Sequence, residues 1–311
     1  MIRYLKHDEV ETEKWDDCIS NSFNGRIYAY TWYLDMVNED WEALVENDYD
    51  RVFPLTPGKK MGIHYLFQPR FTQQLGIFSR SILSEETIKN FIDAIPEKFR
   101  FTDINLNSFN PLESKPGIIE LWLNHELDLI NSYEKIASKY SSNLKRNLKK
   151  GTKSKVSLVN NIKPDNVINL FRQNKGRELV NLKDGDYQLL RRLIYVMIHK
   201  GIGEVIGAYN EMNELCAGAF FVRDNKKVIF YFSATDAYAR DNAAMPMIID
   251  TFIRDNAHSH LTLDFEGSND TNLARFYKSF GAKELHYPHF RHNKLNPLFK
   301  LGFDLIKKIR S

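Results

Sequence analysis

The chain has 311 residues, 43% hydrophobic and 27% charged, with a formal net charge of +3. This composition is ordinary for a globular protein and excludes large-scale disorder. The length exceeds what one core usually organises, so two domains of roughly 150 residues are expected.

In chain order, residues 2–5 alternate as a strand, and 12–22 and 30–37 read as helices, the second around Trp32. Residues 45–55 and 62–68 read as paired strands with Pro57-Gly58 turning between them. The stretch Phe71-Thr72-Gln73-Gln74-Leu75-Gly76 is a polar break in an apolar region. Ser84 is placed to cap a helix running to Ile95, and 103–106 reads as a strand. The loop-like run Asn-Pro-Leu-Glu-Ser-Lys-Pro-Gly, 110–117, marks a boundary between domains 1–118 and 119–311.

In the second half, 126–130 is expected as a strand and 132–150 as one helix, interrupted at Gly151. Residues 139–155 hold seven Lys/Arg and no acid, with Leu144 and Leu148 four apart, as a helix anchored on one side with a basic outer face requires. A short strand at 156–159 follows. Pro164 opens a helix towards Glu178. Asp184 or Asp186 caps another through His199, stopped by Gly201. Runs 203–209, 215–223 and 228–233 form a meander of hairpins. Residues 245–258 form a helix with Ile248, Ile249, Phe252 and Ile253 buried. The apolar run 261–265 is a strand that stops at Gly267-Ser268. The helix after it carries Leu273, Phe276, Tyr277 and Phe280 on one face and ends at Gly281. A strand near 283–287 completes a mixed sheet with helices on both faces, and a last helix at about 296–310 is expected to pack back on the first domain.

Charge is unevenly placed. Residues 286–311 hold six Lys/Arg against Asp304, a net +5; with the +7 of 139–155 this leaves −9 elsewhere. Two positive patches on an acidic body point to phosphate contact. Cys18 and Cys216 stand in no metal-ligand or CxxC spacing and are expected as reduced thiols. The clustered histidines His258/His260 and His286/His289/His292 are expected to hold no metal. The N-terminus has no apolar signal core, and no window approaches about 18 apolar residues, so the cytoplasm is the expected compartment.

The chemistry lies at the end of the 261–265 strand. Asp264 and Glu266 stand there, with Tyr277 one helix later, so two carboxylates and a phenol can move protons. Asp264-Phe-Glu-Gly-Ser268, leading into a helix that ends Arg275-Phe-Tyr-Lys-Ser-Phe-Gly-Ala282, resembles the end of a GNAT-type acyltransferase domain. The similarity is greatest to the FemAB-like (Fem-type aminoacyltransferase) branch.

The resemblance implies an α+β fold of two tandem GNAT-like domains (the acyl-CoA N-acyltransferase fold), the first degenerate. It also implies transfer of an acyl or aminoacyl group from an activated ester or thioester to an amine. Tyr277 would protonate the leaving atom, Glu266 or Asp264 would deprotonate the amine, and backbone N–H groups where strands splay would hold the oxyanion. GNAT enzymes usually cradle the carrier pyrophosphate on Gln/Arg-x-x-Gly-x-Gly/Ala at a helix N-terminus. Here the stretch is Arg240-Asp241-Asn242-Ala243-Ala244-Met245, implying carrier contacts at Arg240, Asn242, Ala243 and Ala244, with Ser268 and Lys278.

Ala243 replaces a glycine, and its Cβ would crowd a pyrophosphate. Fem-type enzymes also lack these glycines and use aminoacyl-tRNA. The carrier is therefore expected as a co-substrate, aminoacyl-tRNA or acyl-CoA, with no permanently bound cofactor. Lys145, Arg146, Lys149 and Lys150 are the expected tRNA contacts, and the basic C-terminal helix a weak membrane-surface contact. Trp32, Tyr33, Gln73 and Gln74 are the candidates for binding the amine acceptor, for which Fem relatives suggest a cell-wall precursor. Two alternatives stay open: an ordinary acetyl-CoA-dependent N-acetyltransferase, and a non-catalytic RNA- or membrane-surface-binding protein on a decayed GNAT scaffold.

Overall fold

A computed structural model describes residues 1–267 and 269–295; Ser268 and the helix expected at 296–310 lie outside the described residues. The chain divides into two units, Met1–Trp122 with the described residues from His286 onward, and Leu123–Leu285.

The first unit contains β1 (Ile2–Leu5), α1 (Thr12–Asn21), α2 (Thr31–Val37), β2 (Glu42–Glu46), β3 (Arg51–Leu55), β4 (Pro57–Lys60), β5 (Ile63–Phe67), β6 (Phe78–Ser79), α3 (Glu85–Asp93) and β7 (Phe99–Asn105). Strands pair in the order β1-β2-β3-β6, and a second set joins β4, β5 and β7. β4–β5 is an antiparallel hairpin and β5–β7 a parallel pair. Apolar faces of both sets and of α3 meet in a core that includes Leu44, Phe53, Leu55, Ile88, Phe91, Phe99 and Ile104. Ser84 caps α3 as the sequence suggests, its hydroxyl accepting from Thr87 N at 3.1 Å.

The strand expected over 45–55 is a hairpin instead. Asn47 and Tyr49 take φ of 52° and 62°, which ends β2 and turns the chain into β3. Asn and Asp are turn formers because their short polar side chains satisfy local backbone groups. Pro57-Gly58 therefore begins β4 rather than turning, with Pro57 opposite Leu66, and the turn shifts to Met61-Gly62.

The polar break at 71–76 is held by buried amides. Asn110 Nδ2 donates to Ile77 O at 2.9 Å while its Oδ1 accepts from Ile77 N at 2.8 Å. Asn107 Nδ2 donates to Leu75 O at 3.1 Å. Gly76 has φ 92°, and a Cβ there would lie 2.2 Å from Asn110 Oδ1 and 3.0 Å from Leu106 Cα. Only glycine fits.

The second unit begins inside β8 (Ile119–Asp128) and continues through α4 (Tyr133–Ser138), α5 (Ser142–Lys153), β9 (Ser157–Asn160), α6 (Pro164–Gln173), α7 (Asp184–His199), β10 (Gly203–Tyr209), β11 (Leu215–Asp224), β12 (Lys227–Thr235), α8 (Ala237–Asp241), α9 (Ala244–Asn256), β13 (Thr262–Asp264), α10 (Thr271–Ser279) and the first residues of β14 (Lys283–Asn293). The strand order is β8-β13-β12-β11-β10-β9, antiparallel except for β12–β13. Helices cover both faces. Ala217, Ala219 and Phe221 of β11 face a core built with α4, α5, α9 and α10. Gly218 faces the other way and lets α6 approach, since a Cβ there would lie 2.6 Å from Val167 Cγ2.

The helix expected over 132–150 is two. Ser132 and Ser141 each cap a separate helix, accepting from Lys135 N at 3.3 Å and Leu144 N at 3.2 Å. A second N-cap three residues after α4 ends restarts the chain in a new direction. Gly151 does not stop α5; a Cβ there would lie 2.6 Å from Met247 Sδ, so its missing side chain lets α5 lie on the start of α9. In α10 the buried residues are Ala274 and Tyr277, with Phe280 buried just beyond its end, while Leu273 is exposed, so that side chain is not part of the buried face.

Two substitutions test the left-handed positions with opposite signs. Gly76→Ala is expected to cost about 2 kcal/mol or more, through the αL penalty and the clash with Asn110 Oδ1 and the Leu106–Asn107 backbone. Ala243, held at φ 56° ahead of α9, should become about 1 kcal/mol more stable as glycine. Urea unfolding midpoints at constant m measure both.

Candidate active site

The site is set by where two parallel strands part. β12 and β13 pair at only three positions, Lys227↔Thr262, Val228↔Leu263 and Ile229↔Asp264. β12 then runs on to Thr235 while the chain after Asp264 leaves the sheet. A bulge fixes the divergence. Phe220 of β11 faces Phe232 and Phe221 faces Phe230, leaving Tyr231 as an extra residue that bends β12.

Asp264 is buried at this end and fully engaged. Its Oδ1 accepts from Asn124 Nδ2 at 3.0 Å and Glu266 N at 2.9 Å, and Lys227 Nζ lies 3.7 Å from Oδ2. Lys227 also pairs with Glu126. Asp264 thereby fixes the backbone turn at Glu266, which sits at φ 60°. Alternation along the strands separates the proposed proton-handling groups. Leu263, Phe265 and Leu127 lie in the core with Tyr277, so Asp264, Lys227 and Glu126 face the opposite side of the sheet. Asp264 is therefore on the opposite face of the sheet from Tyr277.

Tyr277 is 8% exposed and stacks on Phe265 with ring centroids 4.9 Å apart and 21° between planes. Burial, then the charges of Glu266 and Asp270, push its phenol well above the usual range. A buried phenol held beside negative charge stays protonated, which suits a proton donor and not a base. Glu266, half-buried at the strand end, is the carboxylate whose field reaches it.

Sequence reasoning missed His125. It lies on β8, with its carbonyl accepting from Phe265 N at 2.9 Å, and its ring packs 5.8 Å from that of Tyr277. Nothing in Leu-Asn-His-Glu-Leu signals a role, because a lone histidine in a strand has no motif. Asn124 and Lys227, which hold Asp264, were equally silent.

The carrier-loop residues fall around the start of α9. The stretch expected as a loop contains the short helix α8, capped by Asp236, whose Oδ1 accepts from Ala239 N at 2.8 Å. Arg240 is exposed, and Asn242 Nδ2 donates to Tyr238 O at 3.0 Å. Ala243 and Ala244 are buried, with α5 packed over this turn through Gly151. Lys278 pairs with Glu284 at 2.6 Å. Ser268 lies outside the described residues.

On α5 the expected amphipathic pattern is present: Leu144 is buried and Leu148 packs beside it, while Lys145, Arg146, Lys149 and Lys150 are exposed. In the first unit, Tyr33 and Gln74 are buried. Tyr33 donates to Phe71 O, and Gln74 Oε1 accepts from Ser108 N at 3.0 Å. Trp32 and Gln73 are partly exposed, Trp32 edge-on to Tyr33 at 5.5 Å.

Among the described residues no cluster of three His, Cys, Asp or Glu side chains could hold a metal ion, and no helix is long and apolar enough to cross a membrane. Both cysteines are buried free thiols.

No family model matches the sequence, and no curated protein matches it. Solved structures do match in fold along nearly the whole chain. FemX is 12% identical with a TM-score of 0.62, over 95% of this chain and 99% of its own. A conserved protein from Bacteroides thetaiotaomicron is 11% identical with a TM-score of 0.59, over 94% and 99%. L-PGS from Bacillus licheniformis is 10% identical with a TM-score of 0.53, over 96% and 95%. At these identities the likeness is one of fold, and it agrees with the mixed sheet and with the motif from Asp264 to Ala282. The chain shares the α+β fold of FemX and L-PGS.

Proposed function

We propose that this chain transfers an acyl or aminoacyl group from an activated carrier to an amine. The observation that carries the reading is Tyr277, buried and stacked on Phe265 at the strand end that carries Glu266, where β12 and β13 part. Attack by the amine nitrogen forms the new C–N bond and breaks the carrier's C–O or C–S bond. Glu266 takes the proton lost by nitrogen, and Tyr277 gives one to the leaving atom. Backbone N–H groups of β12 beyond Ile229, past the last parallel pair, are the candidates to hold the oxyanion. Asp264 is assigned the turn that aims Glu266.

Aminoacyl-tRNA is the carrier favoured. The α9 start, where a pyrophosphate would dock in a coenzyme A enzyme, is covered by α5, and α5 presents a face of exposed cations that suits a polyphosphate backbone. One observation favours acetyl-CoA as the second reading. Ala243 keeps the left-handed φ that glycine would supply in such a loop. The amine-bearing acceptor is assigned to a cell-wall precursor by analogy with Fem-type enzymes only.

Protein-dependent formation of hydroxamate, from hydroxylamine with either a mixed aminoacyl-tRNA pool or acetyl-CoA, tests the reading and the carrier together. Turnover with charged tRNA is expected; no turnover with either donor overturns the reading in favour of a non-catalytic binding protein. Tyr277→Phe should keep the fold and slow turnover roughly 10²–10⁴-fold, and Glu266→Gln should slow it and remove the acidic limb of the pH–rate profile.

Binding of charged tRNA should weaken steeply with salt, each neutralised phosphate adding about 0.7–0.9 to the log–log slope. Replacing Lys145, Arg146, Lys149 and Lys150 together by Ala should flatten that slope. An unchanged slope would place the tRNA elsewhere.

A further inference from the structure

Between α5 and α9 lies a pocket of about 240 Å³, walled by Leu148 and Lys149 of α5, by Met247, Thr251 and Arg254 of α9, and by Tyr133 of α4. The carboxylate in it, Asp250, is buried and already satisfied. The Tyr133 hydroxyl donates to it, 2.9 Å from Oδ1 and 3.1 Å from Oδ2, and Arg254 Nη2 donates to Oδ2 at 3.0 Å. The phenol oxygen accepts in turn from the same Nη2 at 3.1 Å, and the guanidinium lies over the Tyr133 ring, 4.7 Å from its centroid. Arg254 is thus held in one place by three contacts.

The groups left over in the pocket are donors. A guanidinium carries five N–H bonds, and Nε and Nη1 of Arg254 have no partner among the described residues. Neither do the Lys149 ammonium and the Thr251 hydroxyl. A pin joining α4 to α9 would need only the Tyr133–Asp250 bond, since a half-exposed arginine four residues from its carboxylate adds little stability. Two cations and a hydroxyl from facing helices, around a carboxylate that is fully engaged, complement a ligand that only accepts.

We propose that this pocket seats a backbone phosphate of the carrier RNA, with Arg254 as the fork and Lys149 reaching it from the facing helix. The site rests on the aminoacyl-tRNA reading above and narrows it to one phosphate. A planar guanidinium matches two phosphate oxygens, and one fixed before binding loses less freedom on contact. The polymer, rather than a lone phosphate, is indicated by the cations that continue along α5 outside the pocket. Of these, Lys145 Nζ donates to Ser138 O at 2.8 Å and Arg146 Nη2 to Asn143 Oδ1 at 2.7 Å, so they add field without forming the seat.

Filter binding of uncharged tRNA to the full chain across a salt series tests the seat apart from the chemistry. Arg254→Gln and Lys149→Gln should each weaken binding roughly tenfold and lower the log–log slope by about 0.7–0.9. Lys149→Gln removes an ammonium with no partner in the fold, so its unfolding midpoint should equal that of wild type. Because both cations hold one phosphate, the double variant should lose less than the product of the two effects; Arg254→Gln with Lys145→Gln should lose the full product. Tyr133→Phe keeps every charge but frees Arg254, and should weaken binding with the slope unchanged. Wild-type affinity in Arg254→Gln, or independent effects of Arg254→Gln and Lys149→Gln, overturns the proposal. Turnover of charged tRNA into hydroxamate under that outcome leaves the transferase reading standing without this seat; if wild type neither binds tRNA nor uses it, the seat and the carrier reading fall together. If ATP raises the unfolding midpoint of wild type but not of Arg254→Gln, while both bind tRNA equally, the pocket takes a free nucleotide and the RNA assignment is overturned.

Discussion

Everything at the candidate site follows from one constraint: β12 and β13 stay paired for three residues and then part. The extra residue at Tyr231 bends β12 away, and the Asp264 cluster holds β13 to its other neighbour, β8. Lys227 enters that cluster from β12 itself, so a buried cation ties the paired half of the strands together. A partly buried charge is tolerated only when compensated, and here Glu126 and Asp264 share one ammonium while the Asn124 amide donates to both carboxylates. The pairing is firm below this point and absent above it.

The same cluster explains why the two carboxylates of the Asp-Phe-Glu motif have different fates. Asp264 is inside the sheet with its oxygens engaged, while Glu266 lies past the last pair, on a left-handed backbone that Asp264 itself fixes. The side chain that resembles a catalytic carboxylate in sequence thus serves the one two residues on. The Tyr277 phenol is likewise tuned by its surroundings, pushed above the usual range by burial and then by the charges of Glu266 and Asp270.

Much of the fold was legible because the second unit obeys simple periodicities. The β10–β12 meander, the apolar stripe of α9, Pro164 at the start of α6 and the Ser84 cap all carry local signals that packing did not overrule. The misreadings have physical causes. Pro57-Gly58 looks like a turn, but the Asn47–Asp50 segment reverses the chain earlier and leaves Pro57 at the first position of a strand, where proline is allowed. Gly151 looks like a stop, but it is a contact surface for Met247. The strand and helix of the site were visible in sequence, yet which face each side chain takes was not: Asp264 and Tyr277 lie close along the chain and on opposite faces of the sheet. His125 was invisible, because its distinction is that neither ring nitrogen has a hydrogen-bond partner among the described residues, which only packing reveals.

The account's central claim is that acyl transfer occurs where β12 and β13 part. Its most direct test is a crystal structure of the chain with a stable amide analogue of an aminoacylated adenosine, the 3′-aminoacylamino-3′-deoxy compound. The account expects the analogue's carbonyl within hydrogen-bond reach of the Tyr277 hydroxyl and of β12 backbone N–H groups beyond Ile229. An analogue bound with its carbonyl on the opposite face of the sheet, beside Asp264 and Lys227, or away from both strands, would contradict it.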